Sequence, residues 1–338
     1  MTKGGEREEP VEQRVLGRTG RRIGIVGLGA WQIGADWGPI SDADAMATLH
    51  AAVDAGGTFI DTADVYGDGR SERLIGRFLR ERPAAGLTVA TKMGRRAQPH
   101  RGAAYTVDNF RAWNDRSRAN LGVDVLDLVQ LHCPPTDVYG RDGVFDALDT
   151  LVAERRVAAY GVSVESCAEA LAALRRPGVA TIQIILNCFR QKPLEAVLPA
   201  ARAAGVGIIA RVPLASGLLS GRYDETTSFS PDDHRTYNRR GEAFDVGETF
   251  SGVPFAAGVA AAREILACDR GAASAAQSAL RWVLDQDGVS VVIPGARCAE
   301  QARANAAAAD LRPLGTEVMA CVRRVYDARI RPLVHDRW

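Results

Sequence analysis

Four titratable side chains follow three successive apolar segments of the chain. Asp61 ends the segment 58–61, and Tyr66 comes five residues later. Lys92 ends 87–92, and His132 ends 125–132. A lysine at the end of an apolar segment is unfavourable unless a carboxylate compensates its charge, and Asp61 is the natural partner.

A cation beside a tyrosine stabilises the phenolate. We therefore expect Lys92 to lower the pKa of Tyr66 toward neutrality and to make it a usable general acid. His132, in the same space, would donate a hydrogen bond to a substrate oxygen. Together these residue types predict proton transfer to an oxygen atom.

Each residue also has an ordinary structural interpretation. Asp61 could cap a loop, Tyr66 could pack, Lys92 could lie on the surface, and His132 could be a core histidine. A hydrolase site built from Asp61, Asp64 and His132 around a divalent metal is a further alternative. That set is short of ligands and places Lys92 beside the metal, so we expect no metal.

Apolar segments and amphipathic helical patterns alternate eight times along the chain. The apolar runs are continuous, as in parallel strands covered on both faces. This pattern predicts an α/β fold, a (β/α)8 TIM barrel, with the doubly wound open sheet as its competitor. In such a barrel the active site lies at the carboxyl ends of the strands, where the four residues fall. Strands are predicted at 23–29, 58–61, 87–92, 125–132, 157–163, 181–186, 206–210 and 289–295. Helices are predicted at 41–56, 71–82, 106–122, 141–155, 165–175, 193–204, 274–286 and 298–308.

Two segments depart from the plain repeat. Residues 14–24 carry Arg-Thr-Gly between short apolar pieces, which predicts an N-terminal β-hairpin that could plug the bottom of the barrel. Residues 215–253, after the seventh strand, are polar and long enough to be a binding loop or lid. We expect one domain over 14–330 and a flexible N-terminus over 1–13.

Composition excludes several classes of protein. The 42 basic and 41 acidic residues give a net charge of +1, which offers no basis for binding nucleic acid or membrane surfaces. No segment approaches the roughly 20 apolar residues of a membrane helix, and the charged first residues do not resemble a signal peptide. The six cysteines are scattered, so we expect reduced thiols in a cytoplasmic protein.

Seven motifs recur in order along the chain, namely GLGAW (27–31), FIDTADVYGDGRSERLIG (59–76), TKMG (91–94), LHCPP (131–135), YGVS (160–163), PLASGLLSG (213–221) and VIPGARCAEQARAN (292–305). Through these motifs the sequence resembles the aldo-keto reductase family from about residue 14 to about residue 310. The resemblance implies the TIM barrel and reduction of an aldehyde or ketone to an alcohol by NADPH, with NADH possible. It assigns a catalytic tetrad to Asp61, Tyr66, Lys92 and His132, with Tyr66 as the proton donor.

The same resemblance assigns the cofactor contacts. A Gly-x-Gly-x-x-Gly fingerprint is missing from GIVGLGAWQIG, so a Rossmann site is not indicated. Arg297 would face the 2′-phosphate, which favours NADPH over NADH, and Ser163 and Gln183 would bind the nicotinamide carboxamide. The implied contacts are Trp31, Asp61, Ser163, Gln183, Arg211, Leu214, Ser216, Gly217, Leu218, Gly295, Arg297, Gln301 and Asn305.

Three positions depart from the family pattern. Val164 stands where many relatives have Asn, and Ala304 replaces a frequent Glu near the adenosine. Arg211 occupies the position of an aromatic residue that stacks on the nicotinamide. Its planar guanidinium could stack instead, or it could form an ion pair elsewhere.

The substrate is a small carbonyl compound that the sequence does not identify. Candidate contacts are Trp31, Trp37, Tyr66 and His132, and a polar lid over 215–253 would suit a sugar or another hydroxylated carbonyl. A cofactor-binding sensor with slow turnover is an alternative function on the same fold. Oligomeric state is left open.

Overall fold

A computed structural model describes residues 11–34, 38–83, 86–269, 271 and 274–338. Two strands form an N-terminal hairpin, and eight parallel strands form one sheet in which each strand pairs with its neighbours in chain order. The hairpin strands are β1 (Gln13–Val15) and β2 (Arg22–Gly24). The sheet strands are β3 (Leu28–Gly29), β4 (Phe59–Asp61), β5 (Thr88–Met93), β6 (Leu128–His132), β7 (Tyr160–Ser163), β8 (Val179–Ile185), β9 (Gly207–Arg211) and β10 (Val289–Val292).

The sheet closes into a barrel. Parallel bridges join Val26 to Val292 and Gly29 to Gly295, which connects the first sheet strand to the last. The predicted (β/α)8 barrel is therefore confirmed, and the open sheet is wrong. The predicted strand 23–29 is divided in the structure, because its first residues pair antiparallel with β1 whereas Leu28 and Gly29 pair with β4.

Helices follow the sheet strands and cover the outside of the barrel. Predicted N-caps are present, since the hydroxyls of Ser41 and Thr106 accept hydrogen bonds from the backbone N–H groups of Asp44 and Asn109. No described helix has the length and apolar character needed to cross a bilayer. The eight predicted helices correspond to α1 (Asp42–Asp54), α2 (Arg70–Glu81), α3 (Val107–Leu121), α4 (Asp142–Ala153), α5 (Cys167–Leu174), α6 (Pro193–Ala203), α9 (Ala275–Leu284) and α10 (Ala299–Ala306). The pattern missed α7 (His234–Tyr237), α8 (Phe255–Leu266), α11 (Thr316–Val325) and α12 (Arg331–Val334).

The hairpin covers the amino ends of the strands. Leu16 and Ile23 are fully buried in a cluster with interior residues of the barrel. Arg18 Nη2 donates to Ala204 O at 2.8 Å, just before β9 begins. Residues 1–10 of the N-terminus that we predicted to be flexible lie outside the described residues, and Gln13 already belongs to β1. The domain bounds 14–330 stay a prediction.

The expectation of six reduced cysteines is wrong for two of them. Cys268 and Cys321 form a disulfide with Cα atoms 5.8 Å apart, although they are 53 residues apart in sequence. Their pairing depends on how the end of α8 lies beside α11, and neither helix was predicted. Sequence spacing alone therefore could not reveal it.

The N-terminal hairpin packs against the amino ends of the strands through a close approach of the Gly17 backbone to Gly207. An added Cβ would lie 2.0 Å from Gly207 N, and the φ of Gly17 is +49°. We expect Gly17→Ala to lower the free energy of unfolding by about 2–4 kcal/mol, because left-handed strain and overlap add. Chemical denaturation measures this. Gly20→Ala is the control, since its φ is +68° with nothing within 4 Å, and it should lose only about 1 kcal/mol. Equal losses would contradict the steric explanation.

Candidate active site

A buried ion pair joins the ends of β4 and β5. Asp61 and Lys92 are 2% and 1% exposed. Lys92 Nζ donates to Asp61 Oδ1, to Thr62 O at 2.9 Å and to Tyr66 Oη at 3.3 Å. All three ammonium hydrogens are therefore used, and one of them reaches the phenol predicted as the proton donor.

Two glutamines donate hydrogen bonds to the second oxygen of the Asp61 carboxylate. Asp61 Oδ2 accepts from Gln183 Nε2 at 2.7 Å and from Gln130 Nε2 at 3.1 Å. Gln183 lies in the cavity wall, as the resemblance implied, but its side-chain amide donates to Asp61 Oδ2 at 2.7 Å and to Gln130 Oε1 at 3.4 Å. Gln183 therefore supports the ion pair, and sequence reasoning missed this contact.

The pKa of Tyr66 departs from our expectation. Burial raises the pKa of Tyr66, and the opposing effect of Lys92 does not outweigh it. The expected shift toward neutrality is therefore wrong for the protein alone. Burial would lower the pKa of Lys92, but Asp61 and Tyr66 raise it overall, so Lys92 stays cationic. At neutral pH the phenol consequently keeps its proton and has a cation next to its oxygen.

His132 faces Tyr66 from the end of β6. The two rings meet edge to face with centroids 5.9 Å apart. Burial, and then the nearby Arg95, hold the pKa of His132 well below its usual value, so its imidazole is neutral. Its Nδ1 has no hydrogen-bond partner among the described residues. The structure thus brings all four predicted tetrad residues together.

One large cavity extends from the tetrad across the ends of β9 and β10. Its volume is about 1020 Å³, at the upper end of the range for small-molecule sites. Lys92 lies beneath Tyr66 and does not line the cavity. Leu218 is also not in the wall, because its side chain packs against Gly258 of α8, and Trp37 lies outside the described residues. The predicted contacts in the wall are Trp31, Asp61, Tyr66, His132, Ser163, Gln183, Arg211, Leu214, Ser216, Gly217, Gly295, Arg297, Gln301 and Asn305.

The far end of the cavity has the chemistry of an anion site. Ala215, Ser216 and Gly217 take successive positive φ values of 47°, 54° and 98°, but the N–H groups of Ala215 and Gly217 donate to Val212 O and Leu214 O within the turn and are not free to bind an anion. Arg297 supplies a cation, and its backbone N–H donates to Gln301 Oε1 at 2.8 Å. With the tetrad at the other end, this cation fits an elongated phosphate-bearing cofactor such as NADPH. The Ser216 hydroxyl is already engaged, by Glu248 O and Phe250 N.

Arg211 both forms ion pairs and lines the cavity. Its Nη2 lies 2.9 Å from Glu165 Oε2, and its Nη1 lies 2.6 Å from Glu248 Oε1. Val164 contributes only its carbonyl oxygen, which accepts from Arg211 Nη2 at 2.9 Å. Sequence reasoning missed Glu165 and Arg95, although each lies two residues after the end of a strand. Nothing in the sequence marked Glu248 within the long loop.

The long loop after β9 closes over the tetrad. Phe244 and His234 contact the ring of Trp31 at centroid distances of 5.7 and 5.1 Å. Trp31 in turn stacks on Tyr66 at 6.0 Å. The predicted loop 215–253 therefore contributes directly to the cavity. Its lining residues beyond the turn at 214–217 include Arg235, Tyr237, Phe244, Asp245 and Glu248.

The metal alternative does not assemble as the sequence suggested. Both carboxylate oxygens of Asp61 are occupied by Lys92 and glutamine amides. Within the described part of the chain, a different set brings its ligand atoms within 4.8 Å of one another, namely Cys133, Glu165 and Glu248. Arg211 pairs with both of those carboxylates, so their charge is already balanced.

Comparisons with known proteins agree with this geometry. The family model described as the aldo/keto reductase family matches residues 25–327. L-galactose dehydrogenase from Arabidopsis thaliana is 32% identical over 220 residues, covering 62% of this chain and 67% of that protein.

Solved structures share the whole architecture. The glycerol dehydrogenase AKR11B4 from Gluconobacter oxydans has a TM-score of 0.77 and 27% identity, covering 96% of this chain and 97% of that one. An aldo-keto reductase from Klebsiella pneumoniae in complex with NADPH has a TM-score of 0.68 and 24% identity, covering 94% and 96%. At that identity the second similarity supports the fold alone.

Asp64 is a buried carboxylate close to the tetrad that makes no side-chain hydrogen bond. It is 1% exposed, and neither oxygen has a partner among the described residues. Burial, and then the neighbouring Glu72, raise the pKa of Asp64 to about 7. The folded protein therefore holds this proton more tightly than the unfolded chain does, so Asp64 reduces stability progressively as pH rises from about 4 through 7.

We expect Asp64→Asn to remove this penalty. Relative to the parent protein, the variant should gain about 2–3 kcal/mol more stability at pH 8 than at pH 5. Chemical denaturation at the two pH values measures the difference. Asp68→Asn is the control, because Arg96 and Arg116 lower the pKa of the exposed Asp68 and keep it ionised throughout. A gain independent of pH would contradict the assignment.

Proposed function

The chain belongs to the aldo/keto reductase family, and on that premise we propose that it reduces an aldehyde or ketone to an alcohol with NADPH. Tyr66 is the general acid. The observation that carries the proposal is the contact of Lys92 Nζ with Tyr66 Oη at 3.3 Å, above a fully hydrogen-bonded Asp61. The Tyr66 phenol lines a cavity large enough for a cofactor and a substrate, and the Lys92 ammonium lies behind it, which supports this role.

Each of the four tetrad residues has a separate role in the proposed proton transfer. When bound, NADPH would supply the hydride from C4 of its nicotinamide. Tyr66 holds a proton at Oη and passes it to the substrate oxygen, while the neutral His132 donates a hydrogen bond to that oxygen. Lys92 stabilises the negative charge left on the phenol, and Asp61 keeps Lys92 charged and oriented. Burial of the pair excludes water and strengthens both effects.

The wall beside the tetrad supports a hydroxylated substrate. Arg95, His100 and Asp245 present polar groups there, and Trp31 and Phe244 present aromatic faces. Such a mixture suits an apolar ring face together with several hydroxyl groups. The names of two similar proteins, an L-galactose dehydrogenase and a glycerol dehydrogenase, also concern polyhydroxylated compounds. We therefore favour a sugar or a polyol-derived carbonyl as substrate.

Arg297 supports NADPH rather than NADH. Its guanidinium lies at the far end of the cavity, where Nη2 donates to Pro39 O at 3.1 Å and leaves other donors available. A bidentate guanidinium is well suited to a phosphate group. The Klebsiella pneumoniae protein of the same fold was solved with NADPH.

We expect Tyr66→Phe to abolish reduction while NADPH binding persists, because the ring remains and only the proton donor is lost. The loss of kcat should be on the order of 10²-fold or more. A panel of aldehydes, ketones, ketosugars and steroids, followed by NADPH absorbance, first identifies the best substrate. Tyr139→Phe is the matched control, since Tyr139 is buried away from the cavity and its hydroxyl has no partner among the described residues. Near-normal turnover of Tyr66→Phe would refute the role.

We expect Arg297→Ala to weaken NADPH binding by about 10-fold or more and NADH binding much less, since only NADPH carries the 2′-phosphate. Calorimetric titration with each cofactor measures both dissociation constants. Arg303→Ala is the control, because Arg303 is an exposed arginine on α10, the helix that follows Arg297, and pairs with Glu300. Equal losses for both cofactors would show that Arg297 does not recognise the phosphate.

A further inference from the structure

Four charged side chains, two of them buried and two partly exposed, form a cluster between the tetrad and the long loop. Arg211 pairs with Glu165 and Glu248, and Arg95 Nη2 lies 3.1 Å from the other oxygen of Glu165. Arg211 is 6% exposed and Glu248 is 6% exposed. The cluster joins Arg95 and Glu165, which follow β5 and β7, and Arg211, the last residue of β9, to Glu248 from the loop. Its two cations balance its two anions.

The cluster lies next to the reacting groups. Arg211 Nη2 is 3.8 Å from the sulfur of Cys133, the residue after His132. Arg211 contributes to lowering the pKa of His132, and Glu248 contributes to raising the pKa of Tyr66. A hydride donor must approach within a few ångströms of a carbonyl carbon whose oxygen contacts Tyr66 and His132. The wall available to it there, across the ends of β7, β8 and β9, includes Arg211.

Arg211 also has unused capacity to bind a ligand. Its Nε is buried and has no hydrogen-bond partner among the described residues. Its Nη1 is close to Glu248 but is not aligned for a hydrogen bond. The guanidinium is therefore held in place by its ion pairs and by the hydrogen bonds of Nη2, while Nε and Nη1 remain without a hydrogen bond to any described residue.

The two redox states of nicotinamide differ in charge, because the reduced ring is neutral and the oxidised ring is a cation. An aromatic side chain against the ring would carry no formal charge to tell them apart. A buried arginine disfavours the cation, and buried carboxylates favour it, since screening is weak in such a site.

We propose that Arg211, balanced by Glu165 and Glu248, sets the relative affinity of this site for NADPH and NADP⁺. The inference rests on the proposed function and extends it to the direction of the reaction and the release of the oxidised cofactor. Arg211 favours the reduced form and the departure of the oxidised form. Glu248, carried by the loop, opposes that preference and limits it.

The test is calorimetric titration of NADPH and of NADP⁺ at pH 8, without carbonyl substrate. The quantity of interest is the ratio of the dissociation constant of NADP⁺ to that of NADPH. Arg211→Gln should lower this ratio by about three- to tenfold, and Glu248→Gln should raise it by a similar factor. Arg211→Lys keeps the charge and should stay within about twofold of the parent protein.

Opposite changes of the ratio in the two variants cannot come from a purely structural role, because a structural defect would weaken the binding of NADPH and NADP⁺ alike. Glu72→Gln is the control, because this buried carboxylate accepts from Thr91 and Asn120 and does not line the cavity. If Arg211→Gln and Glu248→Gln leave the ratio unchanged while both forms still bind, the inference is overturned. If neither form binds the parent protein, the proposed function itself fails.

Discussion

The ion pair between Asp61 and Lys92 is the interaction on which the site depends. Burying both charges is strongly unfavourable, and removal of one partner from such a pair typically costs about 3–5 kcal/mol. The barrel offsets this by surrounding the pair with donors and acceptors at the ends of its strands. Thr62 O accepts from the ammonium, and Gln130 and Gln183 donate to the carboxylate. Only a closed barrel brings groups from β4, β5, β6 and β8 to one point.

The charges around the tetrad come from two separate groups. Asp61 and Lys92 lie beneath the phenol, whereas Arg211 and its carboxylates lie to one side of it. The long loop connects the two parts of the site, because it supplies Glu248 to the second group and packs Phe244 onto Trp31 beside Tyr66. Movement of the loop would therefore change both the shape and the electrostatic field of the cavity.

Much of this arrangement could be predicted from sequence. Continuous apolar runs indicate the strands, and the rule that active sites lie at the carboxyl ends of barrel strands brings Asp61, Lys92 and His132 together from the sequence alone. The remainder depends on tertiary contacts. Burial reverses the expected pKa shift of Tyr66, and Glu248 meets Arg211 only because a long loop folds back. The disulfide between Cys268 and Cys321 likewise requires the position of a helix that the pattern did not predict.

The central claim is that the charged pair beneath Tyr66 makes it an effective proton donor. The most direct test is the rate of a single turnover with bound NADPH and a saturating aldehyde in the double variant Asp61→Asn/Lys92→Gln. This variant removes both charges together and leaves no unpaired buried ion. We predict that NADPH still binds and that the rate falls by about 10²- to 10⁴-fold. A rate within a few-fold of the parent protein would contradict the claim.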